Sequence, residues 1–186
     1  VNVGRGPTKL VLDEDRNRLF VLCSFDDSIA EVDADSMVLL RTIRLAEHDT
    51  VKSQTEAGEE LFYDARLSLD GWFSCHSCHS DGHSIGQLND NFSDESFGTP
   101  KRILTLLGSG KTAPWAWSGS VVDLRDQVQK SIQSTMAGPG RHAPLIGETE
   151  INSLVAFVSS LPSAPGILAA RGESDLPSVA NGMTVF

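Results

Sequence analysis

The sequence predicts an α+β protein whose sheet and helices are segregated along the chain, a four-stranded β meander first and an all-α part after it. Short apolar segments recur at close spacing up to residue 45, and from Ser53 onward the apolar residues follow helical spacing instead. We therefore divide the chain into a sheet at residues 1–45, a linker at 46–53 and a helical domain at 54–162. Residues 163–186 are a Pro- and Gly-containing linker and the start of a candidate further domain.

Four apolar segments predict the four strands, at residues 9–12, 19–23, 29–32 and 37–43. The breaks between them, at 13–17, 26–27 and 33–35, are rich in Asp and Asn, whose short side chains satisfy backbone groups in tight turns. A four-stranded meander of about 40 residues has the size of one propeller blade.

The amino-acid sequence of this segment resembles the YVTN type of β-propeller repeat at residues 4–7, 18–22 and 28–33. Only one repeat is visible in the sequence. A single blade cannot bury both faces of its sheet, so we expect either neighbouring blades in a longer parent protein or packing on the helical domain. The first alternative is preferred.

Three amphipathic helices are predicted next. Their apolar positions are Ala57, Leu61, Phe62 and Ala65 in the first, Val121, Leu124, Val128 and Ile132 in the second, and Ile151, Leu154, Val155, Val158 and Leu161 in the third. Gly138-Pro139-Gly140 is expected to stop the second helix, and Pro162 the third. The long loop at 80–119 is expected to wrap a functional group.

Charge and composition exclude some classes of function. With 25 acidic and 15 basic side chains the formal charge is −10, which disfavours binding to nucleic acid phosphates and favours a basic or neutral partner. No apolar run approaches the roughly 18 residues of a membrane span. Cys23 lies far from Cys75 and Cys78, so the three cysteines do not form a disulfide framework.

Residues 75–79 read Cys-His-Ser-Cys-His, the C-x-x-C-H pattern of covalent c-type haem attachment. Two thiols three positions apart can each add to one haem vinyl group, and the imidazole that follows them is then held beneath the iron. The sequence thus predicts one haem c, anchored by Cys75 and Cys78, with His79 as an axial iron ligand.

A structural zinc site is the alternative interpretation of Cys75 and Cys78, because Cys-x-x-Cys is also a zinc half-site. The second half is missing, since His83 and His142 do not form a paired motif. A catalytic Cys-x-x-Cys redox pair is disfavoured because no βαβ pattern surrounds it.

The second axial ligand has several candidates. Met136 is the only methionine between Ser53 and Pro162, and it continues the apolar stripe of Val128 and Ile132. His142, in a Gly/Pro loop, is the main rival; His83 lies close to His79, and His76 is inside the motif. The alternative for Met136 is plain core packing.

The segments around the motif resemble the di-haem cytochrome c peroxidase superfamily. They are residues 58–68, residues 99–102 with the sequence Thr-Pro-Lys-Arg, and residues 112–119 followed by an amphipathic helix, and together they span about 54–162. The resemblance implies a cytochrome c-like helical fold with Met136 near the distal methionine, although the family methionine can lie nearer Ser131. It also implies that Arg102 contacts a haem propionate and that Trp115 and Trp117 wall the haem edge.

The chain departs from that superfamily in having a single C-x-x-C-H motif, although residues 181–186 resemble the helix that precedes a second one. We therefore predict electron transfer by one His/Met-ligated haem, more than peroxidase activity, with a redox partner protein. The alternatives are one haem domain of a di-haem peroxidase-like oxidoreductase, and a propeller-based binding role. Covalent attachment implies a periplasmic or otherwise exported protein.

Overall fold

A computed structural model describes residues 1–46, 51–90, 97–137, 146–173 and 176–185. The first part is a four-stranded antiparallel sheet in the order β1-β2-β3-β4. Its strands are β1 (Pro7–Asp13), β2 (Arg18–Cys23), β3 (Ser28–Asp33) and β4 (Leu39–Arg44). The predicted meander is confirmed, and the chain is a mixed α+β protein.

The last strand begins two residues later than predicted. Met37 has a left-handed φ of 54°, and its amide donates to the carbonyl of Asp33. The Asp33 carboxylate also accepts from the Ser36 amide at 3.0 Å. These turn contacts take Met37 and Val38 out of the strand.

The sheet has a small buried cluster of its own, made by Val21, Cys23, Ala30 and Val32. Leu10 and Leu12 of β1 lie on the same face as this cluster, because they pair with Val21 and Leu19, but they remain 68% and 52% exposed. No second sheet packs on this one within the described residues, so the propeller stays a prediction.

The first helix, α1 (Gln54–Tyr63), begins at a capping box: the Glu56 amide donates to the Ser53 hydroxyl, and the Ser53 amide donates to the Glu56 carboxylate. It ends earlier than the apolar pattern predicted. Ala65 lies in a following 3-10 turn, which the Asp64 carboxylate caps by accepting from the Arg66 amide.

The haem motif forms a single helical turn, α2 (Cys75–Cys78). After it, the chain forms a two-stranded antiparallel ribbon of β5 (Leu88–Asn89) and β6 (Lys101–Arg102). The expectation of an all-α second part was wrong in this detail, because two short segments inside the long loop pair with each other.

The second predicted helix is α3 (Leu124–Lys130), followed directly by a π-helical turn at Ser131–Met136. Val121 is not part of it, a second correction, because Val121 pairs with Trp115 in an isolated β-bridge. The Asp123 carboxylate then caps the helix by accepting from the Arg125 amide. The predicted stop at 138–140 and the candidate His142 lie outside the described residues.

The third predicted helix is confirmed as α4 (Glu148–Ser160), with Glu148 and Glu150 in its first turn, where the helix dipole favours negative charge. Two shorter helices follow, α5 (Ile167–Ala170) and α6 (Pro177–Val185). None of the helices in the described ranges is long and apolar enough to cross a membrane.

The helices share a second core, separate from that of the sheet. Its buried residues come from α1, α3, the π-helical turn, α4 and the 3-10 turn after α1, and they are Phe62, Leu67, Leu124, Ile132, Met136, Leu154, Phe157 and Val158. This core forms one wall of the candidate site.

Candidate haem site

The two motif cysteines lie on one side of the α2 turn, because residues three apart on a helix are neighbours. The turn is held at its start by a hydrogen bond from the Ser74 amide to the Ser77 hydroxyl at 3.0 Å, and at its end by one from the His79 amide to the Cys75 carbonyl at 2.9 Å. Both thiols are free and partly buried.

The His79 ring is oriented by the backbone. Its Nδ1 lies 3.4 Å from the carbonyl oxygen of His83, a contact in which an Nδ1–H group donates. Burial lowers the pKa of His79, so the neutral imidazole predominates at neutral pH. In the usual arrangement of histidine ligands, a neutral ring donates its Nδ1–H to a carbonyl and binds the metal through Nε2.

A cavity of about 340 Å³ lies between α2, the segment at 101–117 and α3. It is lined by every residue that the sequence predicted for the site: Cys75, Cys78, His79, Arg102, Trp115, Trp117 and Met136. The structure therefore brings together residues that are up to 61 positions apart, as Cys75 and Met136 are. Their roles as anchors and ligands stay predictions.

Met136 is 5% exposed and belongs to the helical core. Its Sδ lies 3.8 Å from the Sγ of Cys75, and both residues line the cavity. Met136, the predicted iron ligand, and Cys75, a predicted haem anchor, thus line the same cavity.

The two tryptophans hold the loop side of the cavity. The indole nitrogen of Trp115 donates to the Ser109 carbonyl at 2.9 Å, and that of Trp117 donates to the Arg102 carbonyl at 2.8 Å. Trp115 is half-buried, whereas Trp117 is 54% exposed. Trp117 therefore positions the backbone of Arg102, a contact that the sequence did not predict.

The other histidines that the structure describes have different neighbours. The Nδ1 of His83 lies 2.8 Å from the Thr105 hydroxyl. The His76 ring stacks on Tyr63 with centroids 4.4 Å apart. Neither lines the cavity.

Sequence reasoning missed two polar residues of the cavity wall, Ser109 and Gln127. The hydroxyl oxygen of Ser109 and the side-chain carbonyl oxygen of Gln127 are buried, and within the described structure they have no hydrogen-bond partner. Buried polar atoms are nearly always satisfied, so these two oxygens are unusual features of the residues that line the cavity. Polar residues on an amphipathic helix or in a loop carry no signal that distinguishes them from surface residues.

The cavity fits a haem better than the other candidate groups. Its lining is largely apolar, with cationic and unsatisfied polar side chains, which suits a flat apolar ring with two carboxylates. Zinc lacks a ligand set, because no group of three or more His, Cys, Asp or Glu side chains gathers in the parts of the chain that are described. Burial raises the pKa of Cys75 to about 11, which keeps the thiol protonated and disfavours a catalytic thiolate.

Comparison with known proteins places this site in a family. The model of the di-haem cytochrome c peroxidase family matches residues 52–164, more than half of the 186 residues. The chain belongs to this family. The match contains all seven predicted site residues, and a di-haem cytochrome c peroxidase domain is a haem-binding oxidoreductase domain, so haem and its iron are the cofactor.

Two individual relatives are cytochrome c peroxidases. A cytochrome c551 peroxidase of Pseudomonas aeruginosa is 26% identical over 155 residues, which cover 77% of this chain and 44% of that protein. A cytochrome c peroxidase of Pseudomonas sp. (strain SCT) is 29% identical over 115 residues, which cover 59% of this chain and 28% of that protein. The chain therefore spans less than half the length of these relatives.

Among solved structures, hydrazine synthase of Kuenenia stuttgartiensis under xenon pressure overlaps with 62% of this chain and 38% of its own, at 23% identity and a TM-score of 0.43.

Proposed function

We propose that this chain is an electron-transfer module that binds one haem covalently through Cys75 and Cys78 and ligates its iron with His79 and Met136. The observation that carries the proposal is the convergence of these four side chains on one cavity. Bound there, the haem supplies a one-electron iron couple.

The side chains around the cavity have distinct tasks in this proposal. The His83 carbonyl holds the His79 ring through Nδ1, which leaves Nε2 for the iron. The Met136 thioether, in combination with an axial histidine, raises the reduction potential. Arg102, whose backbone Trp117 holds, supplies positive charge for a propionate. The apolar core behind Met136 excludes water.

Covalent attachment also determines where the protein matures. Thioether formation of the c type requires a haem-attachment system in an exported compartment, so we place the protein in the periplasm or outside the cell. Expression in cytoplasm without that system is expected to give apoprotein.

The experiment is co-expression with a haem-attachment system, followed by acid-acetone extraction and haem staining after denaturing electrophoresis. The haem should remain with the polypeptide, and the double variant Cys75→Ala/Cys78→Ala should lose it. Cys23→Ala is the matched control, since Cys23 is a buried free cysteine of the sheet cluster. Haem that extracts freely from the wild-type protein would refute the proposal.

A second candidate function is one haem domain of a larger di-haem peroxidase. The family match and the 44% coverage of the cytochrome c551 peroxidase favour it. An open iron site in the resting protein, with high-spin absorption and a rapid reaction with hydrogen peroxide, would select this candidate. A low-spin resting spectrum that peroxide leaves unchanged would select the electron-transfer module.

A further inference from the structure

The rim of the cavity carries positive charge although the whole chain is strongly negative. Three cationic residues line the cavity, namely Lys101, Arg102 and Lys130, and the described part of the lining contains no carboxylate. Lys111 adds a fourth cation beside them, because its neighbours Ser109 and Thr112 are lining residues and Lys111 itself is exposed. The formal charge of the chain is −10.

Three of these cations form no ion pair in the described part of the chain. The side chains of Arg102, Lys111 and Lys130 are in no ion pair there, whereas Arg5, Arg18, Arg41 and Arg66, none of which lines the cavity, each pair with a carboxylate. A cation without a carboxylate partner among the described residues keeps its field available to another molecule.

The same rim is also apolar and open to solvent. Trp117 and Leu104 line the cavity and are 54% and 44% exposed. Exposed aromatic and aliphatic groups surrounded by cations are typical of a surface that another protein covers, because the apolar part gains from burial and the charged rim directs the approach.

We propose that this rim, formed by Arg102, Leu104, Lys111, Trp117 and Lys130, is the docking surface for a redox partner that presents carboxylates. The proposal rests on the proposed electron-transfer function and reverses the expectation from net charge, which favoured a basic or neutral partner. The charge near the docking surface, and not the net charge of the whole chain, determines how the two proteins associate. Charges separated by more than about 10 Å are screened at moderate salt.

Haem propionates are a second source of carboxylates and would also bind cations of the cavity. Lys111 separates the two, since it is not among the lining residues. An effect of Lys111 on the rate of electron transfer between proteins therefore reports the surface and not the propionates.

The experiment measures the rate at which reduced flavodoxin, an acidic one-electron donor protein, reduces the oxidised holoprotein in stopped flow at several ionic strengths. Both proteins are net negative, so net charge predicts a rate constant that rises with salt. The docking surface predicts one that falls. At low salt we expect Lys111→Gln and Lys130→Gln to lower the rate constant by about threefold to tenfold each, within the range of electrostatic steering.

Lys9→Gln is the control, because Lys9 is an exposed cation of the sheet and does not line the cavity; it should leave the rate unchanged. A rate constant that rises with salt, or that Lys111→Gln does not alter, overturns the proposal. Haem staining of each variant beforehand distinguishes this outcome from failure of haem attachment, which would leave nothing to reduce.

Discussion

At the scale of single residues, Met136 connects the helical core to the candidate iron site. It is buried with Ile132, one turn earlier, and its sulfur meets the Cys75 sulfur at 3.8 Å. Ser131, the alternative position that the resemblance to the family implied, lines the same cavity, but its hydroxyl donates to the Gln127 carbonyl at 2.9 Å. A hydroxyl bound within its own helix is a poor competitor for the iron.

Replacement of Met136 by Ala is expected to open the sixth position of the iron. The expected signs are a shift towards high-spin absorption, loss of the Met–iron band, a lower reduction potential and new binding of carbon monoxide. Stability should fall by about 2–5 kcal/mol, the usual cost of truncating a buried methionine.

Met136→Leu separates ligation from packing. It keeps most of the buried volume and removes the sulfur, so the spectral changes should persist while most of the stability returns. His142→Ala should leave the spectrum as it is. An unchanged spectrum in Met136→Leu together with a perturbed one in His142→Ala would assign the iron to two histidines.

At the scale of elements, the crossing of α1 and α4 determines how closely the helices pack behind the cavity. Gly58 is buried in the middle of α1. A Cβ at this position would overlap the backbone carbonyl of Ser153 and lie 2.9 Å from the Cβ of Phe157. The two helices can approach this closely only where α1 has no side chain.

Gly58→Ala is therefore expected to destabilise the protein by about 1–3 kcal/mol, the usual cost of overpacking, although Ala is the better helix former. Thermal or denaturant unfolding of the holoprotein measures it. Gly182→Ala is the matched control, since Gly182 also lies in a helix but has nothing within 4 Å of its ideal Cβ. If both variants were equally stable, the close crossing would be wrong.

The π-helical turn is the second element that shapes the site. At Ser131–Met136 the ladder changes, and the Ala137 amide donates to the Ile132 carbonyl at 3.1 Å, five residues back. Such turns occur frequently at functional sites, because the extra residue shifts the side chains that follow. Here the turn ends at Met136, which it carries to the cavity wall.

At the scale of the whole molecule, two separate cores are joined by a polar and aromatic contact. Arg5 donates to the Asp26 carboxylate within the sheet segment and to the Glu60 carboxylate of α1, at 2.8 and 3.1 Å. Phe25 meets Tyr63 edge to face at a centroid distance of 5.8 Å. Because neither buried cluster extends into the other, the helical part does not depend on the sheet for its core.

Residues 54–162, extended by Ser53 to keep the cap of α1, are expected to fold alone with their haem, whereas residues 1–45 are not. The haem adds buried apolar surface to the helical core. The isolated sheet leaves apolar residues exposed on both faces, with Leu10 and Leu12 on one and Val11, 64% exposed, on the other. Thermal unfolding of both fragments by circular dichroism is the measurement.

The second fragment also tests the prediction from the sequence that the sheet is one blade of a larger propeller. A blade without neighbours should give no cooperative transition. A cooperative transition for residues 1–45 alone would show that the sheet is self-sufficient and would remove the physical reason for neighbouring blades.

Much of this protein was determined by its sequence alone. The closely spaced apolar segments and the Asp-rich turns located all four strands, and the helical period located α1, α3 and α4. The spacing of Cys75, Cys78 and His79 predicted a haem cofactor, which the family match supports. These features are local, because backbone geometry repeats every few residues and a covalent motif is contiguous.

Only the tertiary structure decided the features that depend on distant pairs. Val121 leaves the helix because Trp115 pairs with it, and Gln127 and Ser109 become cavity residues because distant segments enclose the cavity beside them. The positive rim likewise joins cations from β6, from the 3-10 turn at Ser109–Lys111 and from α3. Neither the net charge nor the spacing of apolar residues can predict which distant residues come together. Burial and electrostatic fields depend on positions in space, which these two sequence properties do not contain.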